Sequence, residues 1–217
     1  DKSVLILELN TPIKKLCPND EKNVKLCCGF QRRFDKSYVD LKRAVQMGKI
    51  GDVQMVRVFF ADHPVPPIEF LKAGGGDPFT DLAPHDISIC NHILKLKPKS
   101  VQAIGISHTE NDIENLAYLT LKYENHIIAH FNCSWVSPVK IRQMLIGGSE
   151  KMVVFNDMEP TEKIKIYDTG YQYQTDEQRN EILVDYRTGD INVPKIKMTE
   201  ALSLMAEDFI NCIENNT

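Results

Sequence analysis

Nowhere in these 217 residues does an apolar run approach the ~20 residues that a membrane-spanning helix requires. The opening run Val4-Leu5-Ile6-Leu7 is too short for a signal-peptide core and is broken by Glu8. No Cys-x-x-Cys pair occurs, which argues against zinc-ribbon and thioredoxin-type chemistry. The six histidines are scattered and make no metal-type cluster, so no metal is expected. A basic stripe is also missing: the net charge is -4 with acids and bases interspersed, which argues against a nucleic-acid or anionic-membrane binder. The run Gly74-Gly75-Gly76 has neither GxGxxG nor Walker spacing and opens no strand-turn-helix unit, so it does not read as a phosphate loop.

What remains is an ordinary globular composition, 42% hydrophobic and 26% charged, enough for one large domain. Of the six cysteines, Cys27 and Cys28 are adjacent in a strand-like run, and Cys90 and Cys133 sit in apolar periodic segments. They read as buried free thiols in a reducing compartment, which implies a cytoplasmic location. The chain begins at Asp1 rather than Met and stops just after an amphipathic segment, as a piece of a longer protein would.

Two architectures follow one another along the chain. Ser3 to Leu7 and Val24 to Gly29 read as buried strands, with a short helix-compatible piece around Ile13 to Cys17 between them. That is the end of an α/β unit. Asp35 suits a helix N-cap, and Tyr38, Leu41, Ala44 and Val45 recur at helical spacing behind it. Val53 to Ala61 alternates as a strand, and a helix is predicted from about Pro84 to Leu96. Five strands then follow with few helices between them: Val101 to His108, Ala117 to Tyr123, Ile127 to Trp135, Ile141 to Ile146 and Met152 to Phe155. Glu124-Asn125-His126 reads as a hairpin turn, and weaker strand signals lie at Lys163 to Tyr167 and Ile182 to Val184. Thr199 to Ile213 closes the chain as a helix with Leu202, Met205, Phe209 and Ile213 on one face. The fold class is therefore α+β: a remnant of an α/β Rossmann unit over residues 1–29, then residues 30–217 as an open, mostly antiparallel sheet packed on helices.

Three segments could carry chemistry. In Pro78-Phe79-Thr80-Asp81-Leu82-Ala83-Pro84-His85-Asp86, Asp81 and His85 are four apart at a helix start, a spacing that puts both on one face. An Asp beside a His can orient the imidazole and leave the other ring nitrogen free to accept a proton. From spacing alone, a capping Asp with a satisfied His nearby is the better fit. Gly29-Phe30-Gln31-Arg32-Arg33-Phe34-Asp35 follows a buried strand, where site residues of α/β units often lie, and its arginines offer forked donors. A solvated charge pair with Asp35 fits equally well. The Pro-rich loop from Asp62 to Lys72, with His63, Glu69 and Lys72, suits a substrate-facing wall.

Taken together and in order, these segments resemble the Gfo/Idh/MocA oxidoreductases, most closely the inositol 2-dehydrogenase-like branch. The likeness rests on Gly29 to Asp35, on Leu41-Lys42 through Gly48-Lys49-Ile50-Gly51-Asp52-Val53, on His63-Pro64-Val65-Pro66-Pro67-Ile68-Glu69-Phe70-Leu71-Lys72, and on Asp81-Leu82-Ala83-Pro84-His85-Asp86. Weaker similarity continues to about Phe209. The resemblance implies a two-domain enzyme that uses NAD or NADP to oxidise a secondary alcohol of a cyclitol or sugar. His85 would take the hydroxyl proton, Asp81 would assist it, and Arg32 and His63 would contact the substrate. It also implies a homo-oligomer assembled through the sheet face.

Two departures qualify that expectation. The GxGxxG turn is absent, so cofactor binding by this chain alone is not expected. Where the family carries Glu-Lys-Pro, this chain reads Glu8-Leu9-Asn10, and Lys14 and Lys15 lie too far on to replace that lysine. A non-catalytic relative that keeps the sheet domain for oligomerisation or ligand binding therefore stands as the alternative reading.

Overall fold

Alternation of apolar and polar side chains decides which face of each strand is buried, and one broad sheet results. The computed structural model describes residues 4–6, 26–62, 66–67, 69, 71, 76–108, 112–172, 185–187, 189–197 and 199–215. Its strands are β1 (Val4–Ile6), β2 (Leu26–Cys28), β3 (Val53–Ala61), β4 (Ser100–Ile106), β5 (Leu116–Lys122), β6 (Ile128–Ser134), β7 (Ile141–Gly148), β8 (Met152–Asn156), β9 (Ile164–Tyr167), β10 (Gly170–Gln172), β11 (Asp185–Arg187) and β12 (Ile191–Asn192). Its helices are α1 (Lys36–Gln46), α2 (Ala83–Leu94) and α3 (Ala201–Glu214), with a 3-10 turn at Gln31–Phe34 ahead of α1.

Eight strands form the main sheet in the order β12-β9-β8-β7-β3-β6-β5-β4. Every neighbouring pair is antiparallel except β3 and β6, which run parallel. The chain passes from β3 to β6 through α2 and the β4–β5 hairpin, so a helix is brought back across the sheet between two central strands. β1 and β2 pair in parallel as a separate two-stranded sheet, in keeping with the α/β reading of that region. The expected strand at Ile182 to Val184 and the short helix at Ile13 to Cys17 lie outside the described residues.

The core lies between one sheet face and helices α1 and α2. Val56, Val58 and Phe60 of β3 point there, in register with Ala129, Phe131 and Cys133 of β6 and with Ile146, Met144 and Arg142 of β7. Leu41 of α1 and Ile89, Cys90 and Ile93 of α2 cover them. Local chemistry sets the helix ends. The Asp35 carboxylate accepts from the Ser37 backbone N–H at 2.7 Å and caps α1. Pro84 occupies the first turn of α2, where a missing N–H costs nothing. The β5–β6 hairpin turns through Asn125 and His126 at φ 58 and 59, the geometry of a two-residue primed turn.

The cysteines only partly match the expectation of burial. Cys90 and Cys133 are buried and free, whereas Cys27 is half-buried and Cys28 exposed. β2 belongs to the small sheet, so its alternate side chains do not enter the main core. The C-terminal helix differs similarly: α3 buries Met205, while Leu202 stays exposed.

Gly148 ends β7 where the chain needs a missing side chain. A Cβ there would run into the main-chain carbonyl oxygen of Ile50. That carbonyl is fixed by the N–H groups of Glu150 and Lys151 at 3.0 and 3.2 Å, so it cannot step aside freely. Gly148→Ala is expected to lower stability by ~1–3 kcal/mol, read as a reduced midpoint in urea unfolding. An unchanged midpoint would mean that this end of β7 relaxes without cost.

Candidate functional site

The 3-10 turn after β2 directs two consecutive arginines to the first half of α2. The Arg32 Nη1 donates to Asp86 Oδ1 at 3.1 Å, and the Arg33 Nε donates to Ser88 Oγ at 2.6 Å. The Arg32 guanidinium also lies over the ring of Phe60, 4.1 Å from its centroid. Arg142 of β7 stacks on the same ring at 4.8 Å. Phe60, near the C-terminal end of β3, thus carries two cations, a favourable arrangement because the ring face is electron-rich.

Beyond Phe60 the charges continue across the sheet. Arg142 Nη2 and Lys140 Nζ each donate to Asp62 at 2.8 Å. Arg142 Nη1 approaches Asp157 at 3.9 Å, and Lys163 Nζ reaches Asp157 at 2.6 Å. The cations beside Asp62 hold its carboxyl below the usual range against the opposing effect of burial.

His85 sits in the first turn of α2, edge-on to the ring of Phe30 at 5.7 Å. Its Nδ1 is buried and has no hydrogen-bond partner. Burial first, and then the positive charges of Arg32 and Arg142, push its pKa down to about 4. The imidazole is therefore neutral at physiological pH and free to accept a proton. Asp81 lies at the rim. Its side chain reaches solvent, yet surrounding protein and the charge of Asp62 raise its pKa, with Arg32 acting the other way.

Asp81 and His85 are the two residues expected to act together. No hydrogen bond joins them, because α2 begins only at Ala83 and Asp81 belongs to the preceding turn, where four-residue helical spacing does not apply. The carboxylate that pairs with Arg32 is Asp86. Arg32 is brought to the site by Asp86, while His63 and the segment Glu8 to Asn10 lie outside the described residues. Phe60, Asp86 and Arg142 were absent from the sequence-based candidates. For Arg142 a signal existed: a cation in register with Met144 and Ile146 on a buried face. Asp86, next to His85, gave no sign of burial.

Among the described residues no glycine-rich turn leads from a strand into a helix N-terminus, and the sequence has no GxGxxG. Nor does any described group of three or more His, Cys, Asp or Glu side chains suit a metal ion. No described helix is long and apolar enough to cross a membrane.

Comparison with known proteins places these features. The family described as GFO/IDH/MocA C-terminal domain matches residues 38–154, more than half of the chain. The inositol 2-dehydrogenase of Rhizobium meliloti (strain 1021) is 38% identical over 79 residues, 36% of this chain and 24% of that protein. The scyllo-inositol 2-dehydrogenase (NAD(+)) of Bacillus subtilis (strain 168) is 36% identical over 46% of this chain and 29% of its own length. Among solved structures, the UDP-N-acetylglucosamine 3-dehydrogenase of Acidithiobacillus ferrooxidans aligns with a TM-score of 0.63 at 20% identity, over 91% of this chain and 55% of that one. The aldose-aldose oxidoreductase of Caulobacter crescentus aligns at 0.67 and 14% identity, over 89% and 55%. The chain thus spans under a third of those curated relatives and about half of those structures. On the strength of the matched domain, the chain belongs to the GFO/IDH/MocA family through that family's C-terminal domain.

Proposed function

We propose that this chain is the substrate-binding portion of an NAD(P)-dependent oxidoreductase that oxidises a secondary alcohol of a cyclitol or sugar. In this reading residues 1–29 end an N-terminal dinucleotide-binding domain and residues 30–217 form the substrate and oligomerisation domain. The observation that carries it is His85, a neutral imidazole at the start of α2, set beside the Arg32–Asp86 pair. Such a group can take the proton of a substrate hydroxyl as a general base. Arg32 would donate to a neighbouring hydroxyl, with Asp81 at the rim and His63 on the following loop as further contacts. The inositol dehydrogenases among the relatives support a polyol as substrate. NAD or NADP is the hydride acceptor the family implies, and in this reading the chain's own part is to bind the polyol and accept its proton.

Calorimetric titration of the purified chain with myo-inositol and scyllo-inositol tests this. Binding of either, weakened by Arg32→Gln, is the expected result. Failure of every cyclitol and simple sugar to bind would favour the alternative, a non-catalytic relative that keeps the sheet domain. No change in NADH fluorescence is expected on adding this chain.

The second sheet face supports a homo-oligomer. No described helix covers it, and Met55, Ile104, Ile128 and Ile141 project from it, Ile104 at 69% and Ile128 at 47% exposure. Apolar patches of this kind mark association surfaces. Light scattering on the chain is expected to give a dimer or tetramer, and a monomer at high micromolar concentration would reject it. Free Cys90 and Cys133 support a reducing, cytoplasmic setting.

A further inference from the structure

Asp86 is a costly residue for a protein to keep where it is. It is 1% exposed, on the core side of α2. Oδ1 is held by Arg32, and Oδ2 has no partner at all. Charged and ionisable groups meet it from every side: Arg32 from the 3-10 turn, Arg142 from β7, Tyr38 from α1, Cys133 from β6, and His85 and Cys90 on its own helix. Burial pushes its carboxyl up to about 7, although Arg32 and Arg142 both pull the other way. A buried pair of this kind is a poor way to gain stability, since a well-packed neutral residue usually does as well. What it does supply is geometry. Arg32 is a long, flexible side chain, and two fixed partners, Asp86 at 3.1 Å and the ring of Phe60 at 4.1 Å, hold its guanidinium in one place.

We propose that Asp86 is a positioning residue of the site: its carboxylate clamps Arg32 across Phe60, and so sets the direction in which Arg32 offers its remaining N–H donors to the substrate. The inference rests on the polyol reading given above and adds to it the residue through which Arg32 acts. A consequence is that polyol affinity follows the ionisation of Asp86. Below neutrality the carboxyl gains a proton, the charge-assisted bond weakens, and Arg32 is released.

The stability of the fold should move the opposite way. The carboxyl of Asp86 titrates higher in the folded chain than in the unfolded one. Between the ordinary carboxylate range and about pH 7 the folded state therefore holds the extra proton, and stability falls as pH rises through that window. Asn at this position removes that slope.

The test is a double-mutant cycle with Asp86→Asn and Arg32→Gln, measuring myo-inositol affinity by calorimetry and melting temperature from pH 5 to 8. Asp86→Asn is expected to weaken polyol binding roughly tenfold at pH 8, the worth of about one charge-assisted hydrogen bond. It is also expected to flatten the pH dependence of both affinity and melting temperature. Added to Arg32→Gln, it should cost nothing more in affinity, because the clamp has lost what it holds. Additive losses, or an affinity profile for Asp86→Asn that still falls near pH 7, would overturn the proposal. If the parent chain binds no polyol, the function proposed above fails, and the melting-temperature cycle decides this inference separately. Non-additive melting shifts uphold the clamp, and additive ones reject it.

Discussion

On the dehydrogenase reading proposed above, His85→Ala is expected to reduce kcat for polyol oxidation by ~10²–10⁴-fold in the enzyme that carries this domain, the usual worth of a positioned acid-base group. Substrate binding should change far less, because Arg32 keeps Asp86 and Phe60 as partners when the imidazole is gone. Steady-state kinetics and calorimetry on the same variant separate the two quantities. Near-normal turnover would remove His85 from the mechanism. The parent's pH profile offers a second check. With its pKa lowered to about 4, His85 stays unprotonated well below the range of an ordinary histidine. The loss of rate attributable to His85 should therefore come near pH 4. The same shift carries a stability cost of definite sign. Between about pH 4 and the ordinary histidine range the unfolded chain binds the proton that the folded chain refuses, so stability falls as pH drops through that window.

Phe60→Ala is expected to cost ~3–5 kcal/mol of folding stability, a value typical of deleting a large aromatic from a core. Phe60 is 4% exposed, and its backbone lies between β6 and β7, where Cys133 and Arg142 are its register partners. Neighbouring strands cannot close around the missing ring without shifting the centre of the sheet. The loss reaches further than volume. Arg32 and Arg142 would both lose the surface on which they lie, while Asp86 and Asp62 would remain to hold them by charge alone. Phe60→Leu keeps most of the volume and removes the aromatic face. It should recover most of the stability while leaving polyol affinity reduced. Chemical denaturation and calorimetry on the two variants test this division. Full recovery of affinity by Leu would show that packing, rather than the ring face, holds the arginines.

Much of the architecture was open to reading along the chain. Period-two alternation located β3 to β8 within one or two residues at their ends; β3 and β5 to β8 each turn one face to the core, whereas β4, at the sheet edge, stays exposed along nearly its whole length. Asp35 and the Asn125-His126 turn act through local backbone geometry, which neighbouring residues determine by themselves. The likeness to an oxidoreductase family was equally legible, since it rests on short segments of fixed order.

The candidate site divides along the same line. Residue type and local spacing singled out His85, Asp81 and Arg32, but not the partner each would have. Which carboxylate meets Arg32 depends on where α2 begins, and the helix starts two residues after Asp81. Arg142 reaches Phe60 from a strand some eighty positions away because β7 pairs with β3. The lowered pKa of His85 and the raised pKa of Asp86 both arise chiefly from burial among groups that no sequence interval connects. The sequence by itself determined strands β3 to β9, the Asp35-capped helix α1 and the family likeness, all of which depend on neighbours along the chain. Only the tertiary structure decided which charges meet across Phe60 and which of them lose their water, because desolvation and ion pairing depend on distance through space.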